Sequence, residues 1–377
     1  MGVGLDAKGP TPLPGIFSKN HGMKIALLAD AQSIHTQRWV HALRECGIRV
    51  KLFSERRWER APVPTQYLPW SRRGRLQLPI AITQLKRGLR EFSPDVVHAH
   101  YASHWGLYGA LSRRHPFVVS VWGADVEVFG SRSGLNSRIL RYVFNQADAI
   151  TASSQYLATV TARFTTQPIT VVPFGIDLSR FIAMTPNQGP ELRWIINKAL
   201  EPVYGIDVIL EAMRILQTRG VTTWRGKILG MGSQRQALMH QAQGLGLGDR
   251  VEFCGVVLGN DLPSTLAWAD LGLYASRRES FGVAPLEMMA LGRAALAHRI
   301  GGLAEVIQAG ITGNFVDSLA PMDWANALEP LIQNPDRVRT WGNNGPDWVR
   351  SRYNFEDNVR AMLGVYEAVL GSKIQGR

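Results

Sequence analysis

Cysteine is nearly absent from this chain, and long apolar runs are absent altogether. Only Cys46 and Cys254 occur among 377 residues, which argues against a disulfide framework or a zinc site. No run of about 18 uninterrupted apolar residues exists, so no spanning helix is predicted. Residues 1–22 lack the apolar core of a secretory signal and predict a flexible tail, or a segment upstream of a start at Met23. These absences favour a cytoplasmic protein.

Negative charge is scarce in the first half of the chain. Residues 1–173 hold 22 lysines and arginines against 10 aspartates and glutamates, whereas residues 174–377 hold 20 of each. The formal net charge of +12 therefore belongs to the first half, and such asymmetry predicts contact with an anionic surface. Nucleic acid is not predicted, because no zinc-finger or RNP-like motif accompanies the charge. An anionic membrane is the other candidate partner.

The stretch from Arg277 to Gly292 contains two carboxylates, Glu279 and Glu287, close to a predicted helix start. Proline at a first helical position and glycine after a last one predict a helix from Pro285 to Leu291, with Glu287 in its first turn. A carboxylate there is favoured by the helix dipole and can accept hydrogen bonds from a vicinal diol such as a ribose. Glu279 stands in the loop before the helix. The alternative is that Glu287 only stabilises its own helix.

Residues 279–302 resemble the donor-site signature of retaining glycosyltransferases of family four. The matching elements are Glu279, Phe281-Gly282, Glu287, Ala290-Leu291-Gly292 and Gly301-Gly302. The resemblance implies an α/β protein with the GT-B fold, in which two doubly wound Rossmann-like domains face each other across a cleft. It also implies a catalytic role for Glu279 and donor contacts by Ser280, Phe281, Gly282, Val283 and Glu287.

Two further positions of the second half match the family less closely. Gly230-Met231-Gly232 with Arg235 resembles the Gly-x-Gly-x-x-Arg turn that faces the donor phosphates, where a helix start and a cation can hold an anion. The family's Arg and Lys-Gly cations are not in place, since Ala199 stands at the Arg position and Tyr204-Gly205 at Lys-Gly. Lys198 is the predicted substitute for stabilising the leaving diphosphate.

The first half opens with a strand from Lys24, a helix and a second strand, which is a βαβ pattern. Ligands of such sheets lie at the carboxyl ends of the strands, so polar residues there are candidates for acceptor contacts. These are Ser33, His35, His100 and Trp122. The family usually has a glycine-rich loop after the first strand and a histidine where Trp122 stands. Asp125 is predicted either to orient an acceptor hydroxyl or to cap a turn.

Basic and apolar side chains alternate between residues 56 and 90. The basic ones are Arg56, Arg57, Arg60, Arg72, Arg73, Arg75, Lys86, Arg87 and Arg90, and the apolar ones include Trp58, Tyr67, Trp70, Leu76, Leu78, Ile80, Ile82 and Leu85. This composition is typical of an element lying on an anionic membrane, at the inner face of the cell membrane in this case. The alternative is a solvated helix whose apolar side covers the core.

Domain boundaries follow from the alternation of strands and helices. Residues 171–177 resemble the family's interdomain linker, so the sequence predicts an acceptor domain at 23–173 and a donor domain at 174–352. An amphipathic helix within 353–377 is assigned to the first domain, because in GT-B enzymes this helix crosses back.

The predicted function is metal-independent, retaining transfer of a sugar from a UDP- or GDP-linked donor to a glycan or lipid-linked acceptor in surface polysaccharide synthesis. No Asp-x-Asp occurs, so nothing resembles the metal motif of the other main transferase architecture, and no cofactor is expected. The alternative is a non-catalytic GT-B subunit, which Trp122 and the altered residues 198–204 allow. A dinucleotide oxidoreductase lacks its Gly-x-Gly-x-x-Gly after the first strand.

Overall fold

Each half of the chain is built from parallel strands connected by helices. The computed structural model describes residues 22–69 and 77–375. Within this part, residues 22–174 and 356–375 form one unit, called here the N-terminal unit, and residues 175–355 form the C-terminal unit. The two sheets are entirely parallel, which confirms the predicted α/β class with two Rossmann-like domains.

The sheet of the N-terminal unit has the order β3-β2-β1-β4-β5-β6-β7. Its strands are β1 (Lys24–Leu28), β2 (Arg49–Ser54), β3 (Thr65–Tyr67), β4 (Val96–His100), β5 (Phe117–Val121), β6 (Ala149–Ala152) and β7 (Ile169–Val171). Its helices are α1 (Ile34–Glu45), α2 (Gln77–Phe92), α3 (Trp105–Ser112), α4 (Ala124–Glu127), α5 (Phe129–Arg132), α6 (Gly134–Gln146) and α7 (Gln155–Thr161). Strands β4 and β5 are buried at every position, as expected for a sheet covered on both faces.

The sheet of the C-terminal unit has the order β10-β9-β8-β11-β12-β13. Its strands are β8 (Leu192–Asn197), β9 (Trp224–Leu229), β10 (Val251–Gly255), β11 (Leu271–Tyr274), β12 (Ala294–His298) and β13 (Gly313–Val316). Its helices are α8 (Ile206–Thr218), α9 (Arg235–Gly244), α10 (Asp261–Ala267), α11 (Val283–Ala290), α12 (Leu303–Val306), α13 (Pro321–Gln333) and α14 (Pro335–Arg352). In both sheets the strand order reverses beside the first strand, which creates a switch point at β1 and β4 and another at β8 and β11.

The last helix, α15 (Phe355–Gln375), belongs from Glu356 onward to the N-terminal unit. The hydroxyl of Tyr366 lies 2.7 Å from Nδ1 of His98 on β4 and is fully buried. One face of the amphipathic pattern therefore packs on the first sheet, although this helix is the last element of the chain.

Helix α2 shows where the apolar residues of the basic cluster go. Ala81, Leu85 and Leu89 are buried in the core, while Ile80 is 52% exposed. For Leu85, the cluster member among these buried residues, the membrane-facing interpretation is wrong, because its side chain covers the sheet instead. The cluster members Trp70, Arg72, Arg73, Arg75 and Leu76 lie outside the described residues, as does the predicted tail up to residue 21. No helix in the described ranges has both the length and the hydrophobicity needed to span a bilayer.

Candidate donor and acceptor sites

The switch point of the C-terminal unit gathers side chains from two neighbouring strand ends. Asn197 is the last residue of β8 and Lys198 follows it, while Tyr274 is the last residue of β11. Parallel strands end at the same edge, so these three residues meet although they are far apart in the chain. Crevices at such an edge are where open α/β sheets bind ligands.

Lys198 and Glu279, both predicted catalytic residues, form an ion pair at this edge. The Nζ of Lys198 lies 2.5 Å from Oε2 of Glu279, and the two side chains are only 10% and 13% exposed. The hydroxyl of Ser276 donates to the same oxygen over 3.3 Å. The ammonium group also lies 5.0 Å from the ring centre of Tyr204 and 5.9 Å from that of Tyr274. A single cation is thus held between one carboxylate and two aromatic faces, where an anionic ligand can compete for it.

Glu287 reaches the same edge by a different route from the predicted one. Helix α11 begins at Val283, two residues before Pro285, because Gly282 with φ of 116° serves as its N-cap. The first turn then contains no acidic residue, so the prediction that Glu287 lies there is wrong. Its Oε2 instead accepts a hydrogen bond of 3.0 Å from Nδ2 of Asn197. A side chain on β8 therefore helps to orient this carboxylate.

The glycines of the motif are required by close backbone packing. A Cβ on Gly230, which has φ of 130°, would lie 2.0 Å from the carbonyl oxygen of Lys198. A Cβ on Gly302 would lie 2.4 Å from Cα of Phe281. The N–H of Gly302 donates to the carbonyl of Glu279 over 2.9 Å. Gly232 likewise packs on the carbonyl of Leu200. These contacts fix the loops that carry Lys198 and Glu279.

The remaining predicted donor residues lie on the loops around this edge. Arg235 is the first residue of α9, and its Nε is buried without a hydrogen bond. Phe281 is 3% exposed and meets Tyr353 edge to face, with 5.9 Å between ring centres. Ser280 and Val283 are half-buried on either side of Phe281 and Gly282. Their roles as donor contacts stay predictions.

The switch point of the N-terminal unit holds a group of aromatic rings. Trp122 lies 4.2 Å from His100 and 5.9 Å from His35, measured between ring centres. His35 also stacks on Phe174 at 4.3 Å. Three of the four predicted acceptor-side residues are therefore in contact. The fourth, Ser33, is the N-cap of α1 and makes no capping bond with its side chain.

Both imidazoles of this group are electrically neutral at physiological pH. Burial, with a smaller contribution from Arg38, lowers the pKa of His35 to about 4. Burial followed by the neighbouring His98 and His35 lowers the pKa of His100 well below its usual range. Nδ1 of each ring is buried without a hydrogen bond. Because buried polar atoms are normally paired, this pair of rings has unused capacity for a hydroxyl-bearing ligand.

His98 is a buried residue that the sequence reasoning did not single out. Nδ1 contacts the Tyr366 hydroxyl, Nε2 lies 2.7 Å from Oγ of Ser120, and this hydroxyl lies 2.7 Å from Oγ1 of Thr151. Burial lowers the pKa of His98 to about 3. The His-x-His pattern at the end of β4 was the available signal, but periodicity alone does not reveal a partner on α15.

Asp125 joins two loops at this edge. Its Oδ2 accepts a hydrogen bond of 2.8 Å from the N–H of Ala102, and its Oδ1 accepts others from the N–H groups of Gly123 and Trp122 at 2.8 and 3.3 Å. The residue is 1% exposed, and burial raises its pKa to about 6 despite these bonds. These are the contacts of a turn-organising carboxylate, the alternative that the sequence had left open.

Two family models match the chain. Residues 186–348 match the model described as "Glycosyl transferases group 1", and residues 24–154 match "Glycosyl transferase 4-like". A D-inositol 3-phosphate glycosyltransferase of Salinispora tropica is 27% identical over 313 residues, which cover 73% of this chain and 64% of the relative. The chain thus spans less than two thirds of that relative's length.

Two solved structures have similar folds. Sucrose-phosphate synthase from Thermosynechococcus elongatus superimposes with a TM-score of 0.81 at 20% identity, over 93% of this chain and 100% of the other. Anabaena Alr3699/HepE in complex with UDP and glucose superimposes with a TM-score of 0.76 at 20% identity, over 92% and 99%. At this identity the similarity establishes a shared fold.

Proposed function

Because the chain belongs to the glycosyltransferases of group 1, we propose that it transfers a sugar from a nucleotide sugar to a hydroxyl group, without a metal ion and with retention of configuration. The observation that carries this proposal is the Lys198–Glu279 ion pair beside Glu287 at the β8–β11 edge. One cation and two carboxylates at one edge of the sheet match the parts of a nucleotide sugar: a diphosphate, a sugar and a ribose.

The donor takes over the contacts that the ion pair makes in the free protein. Lys198 turns to the diphosphate, whose developing charge it neutralises together with Arg235 and the amide of Gly301. Glu279, released from Lys198, accepts hydrogen bonds from sugar hydroxyls, and Glu287 accepts them from the ribose. UDP is the favoured nucleotide, since one structural neighbour is in complex with UDP and glucose; GDP is the alternative.

The reaction breaks the bond between the anomeric carbon and the diphosphate oxygen, which keeps the electron pair. A new bond joins the anomeric carbon to the acceptor oxygen, and the proton of the acceptor hydroxyl passes to the departing phosphate oxygen. Metal independence is part of this proposal, and the comparison of donor binding with and without EDTA tests it.

The acceptor binds to the aromatic group of the N-terminal unit. Neutral imidazoles of His35 and His100 can donate and accept hydrogen bonds, and the indole of Trp122 offers an apolar face to a sugar ring. Such a surface suits a hydroxylated ring of a glycan or lipid-linked acceptor in surface polysaccharide synthesis. The excess of basic residues in the first half of the chain supports attachment to an anionic membrane at its cytoplasmic face.

The test is a thermal-shift screen of UDP- and GDP-sugars with and without EDTA, followed by donor turnover in wild type, Lys198→Ala and Glu279→Gln. We expect one nucleotide sugar to raise the melting temperature equally in EDTA, and both variants to lose turnover by about 100-fold or more. Arg214→Ala, which removes an exposed pair with Glu211 on α8, is the control that should keep full turnover.

Binding without turnover in the wild type would favour the non-catalytic GT-B subunit. Failure of every nucleotide sugar to bind would remove the proposal. The anomeric configuration of the product, read by NMR coupling constants, decides between retention and inversion.

A further inference from the structure

Asn197 and Tyr274, which belong to none of the motifs described above, form a hydrogen-bonded relay to Glu287. The Tyr274 hydroxyl donates a hydrogen bond of 2.9 Å to Oδ1 of Asn197, whose Nδ2 donates to Oε2 of Glu287 over 3.0 Å. Tyr274 is 1% exposed. A Cβ on Gly272 would lie 2.6 Å from this hydroxyl, so the glycine makes room for it. The relay therefore occupies space that the strand provides for it.

The direction of each hydrogen bond in this relay is determined by chemistry. Burial, followed by the charges of Glu287 and Glu279, raises the pKa of Tyr274 well above its usual value, so the phenol keeps its proton and can donate. The carboxylate of Glu287 accepts only, so the amide must turn its Nδ2 toward it and its Oδ1 toward Tyr274. Without the phenol hydroxyl, nothing in this relay would hold the amide in that orientation.

We propose that Asn197 and Tyr274 are positioning residues for the ribose of the donor, acting through Glu287; this rests on the function proposed above. The relay orders the Glu287 carboxylate before the donor arrives. The two ribose hydroxyls then meet an acceptor group whose orientation needs no further ordering on binding. Lys198 follows Asn197 directly, so the same strand end positions the group for the ribose and the group for the diphosphate.

Tyr274→Phe tests the hydroxyl alone, because the ring that faces Lys198 at 5.9 Å remains. Binding of UDP, GDP and their 2′,3′-dideoxy analogues to the wild type, Tyr274→Phe and Asn197→Ala would be measured by isothermal titration calorimetry. For whichever ribonucleotide binds the wild type, we expect both variants to weaken binding about 3- to 10-fold, the loss of one net hydrogen bond. Binding of the dideoxy analogue should not change.

The matched control is Tyr353→Phe, which removes another buried tyrosine hydroxyl of the same unit, one that donates to the carbonyl of Glu305 over 2.9 Å. It should leave the ratio of ribonucleotide to dideoxynucleotide affinity as in the wild type. Equal weakening of both ligands in Tyr274→Phe and Asn197→Ala, or no weakening of either, would overturn the positioning role. A wild type that binds neither UDP nor GDP would instead overturn the proposed function, and this inference with it. Should Tyr274→Phe fail to fold, Asn197→Ala decides alone.

Discussion

Nζ of Lys198 and Oε2 of Glu279 lie 2.5 Å apart, although 81 positions separate them in the chain. Since both side chains are nearly buried, removing either one leaves the other without its counter-charge. We expect Lys198→Met and Glu279→Gln each to lower the free energy of unfolding by about 3 kcal/mol, measured by urea denaturation. The double variant should lose clearly less than the two single losses together, while remaining inactive. Strict additivity would contradict the coupling.

Stability should fall as the solution becomes acidic, because the N-terminal unit buries neutral histidines. The pKa values of His98 and His35 are about 3 and 4, below the ordinary 6.5. The unfolded chain therefore binds protons below about pH 6.5 that the folded protein does not, which costs about 1.4 kcal/mol per histidine for each further pH unit. The raised pKa of Asp125, about 6, has the opposite effect on stability. Between about pH 6 and 4 the folded protein binds a proton that the unfolded chain does not, which stabilises the fold as the pH falls.

The measurement is urea denaturation at pH 7, 6 and 5 for the wild type and His98→Asn. The variant lacks one of the buried histidines. Its free energy of unfolding should therefore fall less per pH unit than that of the wild type, by about 1.4 kcal/mol, which corresponds to one proton. Equal slopes in the two proteins would show that His98 is not held neutral in the folded state.

Asp125→Asn should destabilise the loops after β4 and β5. An amide has one acceptor oxygen, so it cannot accept from both Ala102 and Gly123 as the two carboxylate oxygens do. We expect the free energy of unfolding, measured by urea denaturation, to fall by about 2 kcal/mol. The NH2 group of the asparagine would face a buried backbone N–H, which would then have no acceptor. Unchanged stability combined with a raised acceptor KM would instead identify Asp125 as an acceptor contact.

Arg293 should be among the least replaceable residues of the C-terminal unit. It is 2% exposed, and its guanidinium donates to the carbonyl oxygens of Ala267, Met184 and Thr185 at 2.9 to 3.1 Å. Lysine cannot reproduce this fork, so Arg293→Lys should cost about 2 to 4 kcal/mol in chemical denaturation. We also expect faster hydrogen exchange at residues 184–185 in the variant. Unchanged exchange there would show that Arg293 does not hold this segment in place.

Much of the candidate donor site could be read from the sequence because its parts are close in the chain. Glu279, Phe281, Gly282 and Glu287 lie within nine residues, so their order and spacing could be matched to the signature of the family. The start of α11 was misplaced by two residues, since Pro285 is permitted within a first turn and Gly282 was not recognised as the cap. Lys198 was predicted to replace the family's arginine; the structure places it against Glu279, and its role toward the diphosphate stays a prediction.

The alternation of short apolar strands with amphipathic helices could be recognised in the amino-acid sequence, and it predicted two parallel α/β units. Hydrophobic periodicity and the positions of glycine and proline are local features of the sequence, and they can be recognised without knowing which elements pack together. Which distant residues meet became visible only in the folded chain: Tyr274 contacts Asn197, Asn197 contacts Glu287, and His98 contacts Tyr366 across 268 positions. These contacts depend on strand order and on how helices cover each sheet, which are set by long-range burial and leave no periodic trace in the chain.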